Sequence, residues 1–151
     1  MKYESVLLTD HEQFLRLLSV LEKNTAAIEI VQINGEDLNE PLIKAAQPFL
    51  IKKEYVNKWY GTRRGGKGAP KFIVRAEKAI FVHLKKYEHF FVNSRDKYGC
   101  DTVIETDFGQ DDIAFLGQNG EPLFFTTTHE GYAAGAAEFF SDEQQLRQKT
   151  N

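Results

Sequence analysis

The chain has 151 residues, 42% of them apolar and 27% charged, with a formal net charge of −3 and a single cysteine. That length suits one domain burying about 70% of the surface its unfolded chain exposes, and the composition excludes disordered, collagen-like and disulfide-stapled classes. No apolar run is longer than Ala79–Val82, against the ~20 residues a bilayer span requires. The opening Met1-Lys2-Tyr3-Glu4 is unlike a secretory signal, and a lone Cys100 fits a reducing, cytoplasmic setting.

Thr9 followed by Glu12 reads as a capping box, and Phe14, Leu17, Leu18 and Leu21 recur at helical spacing. These predict a first helix ending near Lys23 and Asn24. Ala26–Ile33, rich in β-branched residues, predicts an interior strand, with Asn34-Gly35 turning the chain after it. Asn39 is the expected cap of a short helix through Leu42, Ile43, Ala45 and Ala46, limited by Pro48. Phe49–Tyr60 and Lys71–Arg75 read as extended on either side of Gly61–Pro70, which makes a hairpin with a long basic tip. Ala76, Ile80, Leu84, Tyr87 and Phe91 step by 4, 4, 3 and 4, predicting a second helix from about Glu77 to Tyr98, closed by Gly99.

Thr102–Asp107 reads as a further strand. Ile113–Leu116 and Leu123–Thr128 flank Gln118-Asn119-Gly120 as a second hairpin, and Ser141 with Gln144 marks a short terminal helix. The expected fold is a single α+β domain over residues 1–151, an antiparallel or mixed sheet of about five to six strands packed against two main helices. Adjacent Phe124-Phe125 demands cover on both sheet faces. Phe139-Phe140, after Ala133-Ala134-Gly135-Ala136-Ala137, demands cover from this chain or from a second copy, which brings in a homodimer.

Charge is unevenly spread. Nine bases lie between Lys44 and Arg75 against one acid, Glu54, whereas Gly99–Leu146 holds ten acids and neither lysine nor arginine. The two stretches either neutralise each other or form opposite faces, and the compactness of one domain favours the first.

The tip carries the leading functional expectation. Gly61-Thr62-Arg63-Arg64-Gly65-Gly66-Lys67 has phosphate-loop spacing, but Gly68 replaces the magnesium-binding hydroxyl and an extended stretch follows where a helix is required. Nucleotide hydrolysis is therefore rejected. Lys58, Arg63, Arg64, Lys67, Lys71 and Arg75 instead make a candidate anion-binding surface. The expectation is a non-catalytic, cofactor-free cytoplasmic binding protein whose partner is an acidic protein surface or another polyanion.

Two alternatives belong to other classes. One is a metal-dependent hydrolase using Asp107, Asp111, Asp112, His129 and Glu130. The other is a nucleic-acid binder using Arg63, Arg64 and Lys67, with Trp59, Tyr60 and the nearby Phe72 to stack on bases, which a pI near 5.8 disfavours. His83 and His89, six apart on the expected second helix, cannot share a metal; His11 is expected on a solvated face, and Cys100 beside Asp101 as a neutral thiol.

Overall fold

The structure, a computed structural model, describes residues 2–92, 98, 111–138 and 140. In chain order these form β1 (Tyr3–Ser5), α1 (His11–Asn24), β2 (Ala27–Gln32), α2 (Pro41–Ala46), β3 (Leu50–Val56), β4 (Lys58–Trp59), β5 (Thr62–Arg63), β6 (Ala69–Arg75), α3 (Lys78–Leu84), β7 (Asp111–Leu116), β8 (Pro122–Thr127) and β9 (Tyr132–Ala136). Seven strands make one sheet in the order β1-β9-β8-β7-β2-β6-β3, and every pairing is antiparallel. The α+β class is as expected, but the sheet is wider than five to six strands and carries three helices instead of two main ones. Among the described residues, no helix is long and apolar enough to cross a membrane.

The helix α1 starts one residue later than its capping signal suggests. Asp10, not Thr9, is the N-cap; its carboxylate accepts the Gln13 N–H at 2.8 Å, while the Gln13 side-chain oxygen accepts the Thr9 N–H at 3.0 Å. The arrangement is a variant of the capping box, in which the Gln13 side chain reaches the N–H of the residue before the N-cap rather than that of the N-cap itself. Phe14, Leu17, Leu18 and Leu21 are buried as expected. β2 is an interior strand, flanked by β6 and β7. Its alternation sends Ile28 and Ile30 into the helix-covered core with Phe72, Val74, Ile113 and Phe115, and turns Glu29 and Val31 to the opposite face.

The second helix is much shorter than its periodicity predicts, stopping at Leu84. A helix continued to Tyr98 would carry Phe91 over the core, since Ile80 and Phe91 are about three turns apart. The chain turns instead. His89 and Val92 bridge through their backbones at 3.0 and 3.3 Å, and the His89 ring accepts the Phe91 N–H at 3.0 Å. This turn drops Phe90 fully into the core and leaves Phe91 partly covered. His11 is partly buried rather than on a solvated face: its ring lies 3.1 Å from the Glu88 carbonyl, against the same turn.

β9 is built from Tyr132, alanines and a glycine, and β1 from three residues; neither has a β-branched run to announce it. Gly135 is needed by close approach: a Cβ there would sit 2.6 Å from the Phe140 ring. Phe140 is thus covered by this chain, while Phe139 lies outside the described residues. The adjacent phenylalanines of β8 split as expected, with Phe124 in the core and Phe125 on the other face against Tyr3 and Tyr60. The expected strand 102–107, the C-cap Gly99, Cys100 and the terminal helix at 141–144 lie outside the described residues.

Candidate functional site

The basic stretch forms a hairpin within a hairpin. β3 and β6 pair antiparallel as expected, and the connection between them folds again as β4 and β5, a two-stranded ribbon of its own. A neck holds it. Arg64 N–H donates to the Asn57 carbonyl at 2.9 Å, and the Asn57 amide donates to the Gly66 carbonyl at 3.0 Å. β6, not a helix, follows Gly68, so the phosphate-loop reading fails in the structure as it does in the sequence.

The ribbon lies down on the face of the sheet that the helices leave open. Trp59, 8% exposed, packs with Val31 and Ala69, and its indole N–H donates to the Asp112 carboxylate at 2.8 Å. The other Asp112 oxygen accepts the Thr128 N–H at 2.8 Å, so the acid joins the ribbon to the end of β8. The Tyr60 ring rests 6.0 Å from that of Phe125. Gly61 has φ +80, and a Cβ there would meet the Thr127 hydroxyl at 2.6 Å; only glycine allows both the left-handed turn and this approach. On the far side the Arg64 guanidinium stacks 5.8 Å above Trp59 and donates to the Ile33 carbonyl at 2.7 Å.

The six expected anion-binding residues divide into two sets. Lys58 and Arg63 are cross-strand partners on β4 and β5; with Lys67 they are exposed, and none makes an ion pair among the described residues. Arg64, Lys71 and Arg75 are engaged within the fold. Lys71 sits 3.0 Å from Glu54 and 3.5 Å from Glu29, in a row of alternating charge across β3, β6 and β2 that Lys52 extends at 3.0 Å from Glu54. Arg75 pairs with Glu77 at 3.4 Å and lies 5.8 Å over Phe49. The ribbon is a ridge between two hollows. One, of about 390 Å³, is lined by Glu29, Lys58, Trp59, Tyr60, Gly61 and Lys71; the other, of about 300 Å³, has Arg64 and Lys67 beside Glu36 and Tyr55.

Neutralisation of the basic stretch by the acidic one is not what the described residues show. The acids that pair with its bases are Glu29, Glu36, Glu54 and Glu77, all outside the C-terminal third, whose one side-chain hydrogen bond to the ribbon among the described residues is that of Asp112 with Trp59. That latch was not foreseen. The signal for it is the alternation of β7, which must turn one of the adjacent Asp111 and Asp112 toward each face.

The same alternation disperses the proposed metal ligands. Asp111 is buried on the helix side, Asp112 on the ribbon side, and His129 with Glu130 is exposed in a turn, while Asp107 lies outside the described residues. Among the described residues no group of three His, Cys, Asp or Glu is placed to hold a metal. Nor are the aromatic residues free to stack on bases: Trp59 and Phe72 are buried and Tyr60 leans on Phe125.

Carboxylates fasten β3 to its surroundings. The Glu36 carboxyl is held below its ordinary 4.5 by hydrogen bonds from Lys53 at 2.6 Å and from the Tyr55 hydroxyl at 2.6 Å, with Lys67 adding attraction through space. Glu54 is lowered in the same way by Lys71 and then Lys52. A depressed folded value contributes stability above the unfolded one and loses it as pH falls. The thermal midpoint is therefore expected to begin falling as pH drops below about 4.5, the ordinary value. Glu36→Gln and Glu54→Gln should each lower the neutral midpoint and flatten this acid limb; an unchanged limb in both would show that these contacts do not govern it.

Comparison with known protein families, with curated proteins and with solved structures gave no match.

Proposed function

We propose that this chain is a non-catalytic binding module that docks an acidic protein surface on the β4–β5 ribbon. The observation that carries the reading is the partition of its bases. Of the nine bases of the stretch, five have a carboxylate or carbonyl of the chain as partner and Lys44 lies apart on α2, whereas Lys58, Arg63 and Lys67 stand exposed on one latched ridge with no ion pair among the described residues. A rigid platform spares the ordering cost that a flexible basic loop meets on binding. The hollows on either side put Lys58 at the rim of one and Lys67 in the other, so carboxylates flanking a partner's ridge site would each find an ammonium. A cationic ridge on a chain of net charge −3 also orients the approach of an acidic partner.

The test is titration of a polyglutamate peptide, followed by calorimetry, into the wild-type chain and into the Lys58→Ala, Arg63→Ala, Lys67→Ala triple variant. Exposed pairs are worth about 0.2–1 kcal/mol each, so the triple change is expected to weaken binding about tenfold and to reduce its salt dependence. The thermal midpoint should barely move, because all three side chains are exposed. Equal affinity and equal salt dependence in the two proteins would remove the ribbon as the binding surface. Tighter binding of a single-stranded oligonucleotide of equal charge would overturn the choice of a protein partner.

A further inference from the structure

We infer that the outer edge of β3 pairs with β3 of a second copy of this chain, antiparallel about Lys53, so that two sheets join across a two-fold axis. β3 closes the sheet on one side, with β6 on its inner edge. No backbone hydrogen bond among the described residues uses the outer one. The ribbon that follows β3 folds inward over Val31, Asp112 and Phe125 and leaves that edge clear. Leu50, Ile51 and Tyr55, three of the exposed large apolar side chains of the molecule, lie on this one strand at 37%, 59% and 60% exposure. An edge of seven residues with open donors and acceptors is a template for another strand.

The strand is complementary to itself in this register. Pairing about Lys53 sets Lys52 opposite Glu54 twice, on the open face, and Ile51 opposite Tyr55 twice. Moving the axis to Lys52 or to Glu54 loses both Lys52–Glu54 pairings, since position 54 then faces 50 or position 52 faces 56. Lys53 meets its own copy, but each ammonium brings Glu36 with it at 2.6 Å, so the four charges at the axis sum to zero. The lysines and the bulge between Leu50 and Lys52 discourage unrelated strands, which lack the matching glutamates. The interface is isologous, as a closed dimer requires.

Sedimentation of the 17.3 kDa chain across a concentration series tests this. A concentration-dependent dimer is expected for the wild type. Lys52→Glu and Glu54→Lys should each weaken it about tenfold or more, since two facing pairs then carry like charge. Mixing the two variants should restore a dimer, because both pairs that join position 52 to position 54 are again of opposite sign. Lys52 has a side chain 62% exposed, so its variant keeps the fold and decides the matter even if Glu54→Lys, which loses its contact with Lys71, does not fold. A chain that stays monomeric up to about 1 mM, or a dimer indifferent to Lys52→Glu, would overturn the inference.

Discussion

Replacing Phe90 by alanine is expected to destabilise the fold by about 3–5 kcal/mol, lowering the thermal midpoint by roughly 6–20 °C for a chain of this size. Phe90 belongs to no helix or strand, yet it is fully buried. Its ring meets Phe14 of α1 edge-on at 4.9 Å, stacks on Phe124 of β8 at 5.5 Å and approaches Phe115 of β7 at 5.8 Å. It thus ties a helix to two central strands, and truncation leaves a cavity between elements that cannot close independently. Calorimetric or optical melting measures the loss. Phe91→Ala is expected to cost distinctly less, since Phe91 only borders the core. The opposite ranking would mean that the helix beginning at Lys78 continues as its apolar spacing implies, carrying Phe91 inward in place of Phe90.

That contrast shows where the sequence is legible and where it is not. Elements whose buried residues follow one local period were readable: α1 from Phe14, Leu17, Leu18 and Leu21, β2 from Ile28 and Ile30, and the β7–β8 hairpin from Asn119-Gly120. The segment after Leu84 keeps helical spacing but yields to a long-range contact, the place for Phe90 among three rings. β9 escaped notice because tertiary packing asks for small residues there, with Phe140 lying against Gly135. The site divides in the same way. Counting bases located the ribbon, but which bases are occupied depends on register: Lys71 lies opposite Glu54 only because β3 and β6 pair as they do. Such non-local pairing has no signature in any short window.

The latch beneath the ribbon is where the fold and the proposed surface meet, and Asp112→Ala is expected to break it. Asp112 is 3% exposed and accepts two hydrogen bonds, from the Trp59 indole and the Thr128 backbone, each at 2.8 Å. Removing the acceptor strands both donors in a site closed to water, at about 1–3 kcal/mol each, or about 2–6 kcal/mol together. Trp59→Phe keeps an aromatic side chain, smaller than the indole, and removes one donor, so it should cost less than Asp112→Ala while leaving Thr128 satisfied. If the two residues act through their shared bond, the double variant will be less destabilised than the sum of the singles, by about 0.5–3 kcal/mol. Additive losses would show that each acts through its other contacts. The ribbon's own freedom gives the second readout. Tyr60 and Gly61 rest on Phe125 and Thr127 but have no polar tie to that face among the described residues, so Asp112→Ala should speed amide exchange from Lys58 to Arg63 more than in β3 or β6. A platform loosened in this way must be ordered again on binding, so polyglutamate affinity should fall although no cation has been touched. Unchanged affinity alongside faster exchange would mean that the charges act without the rigid ridge.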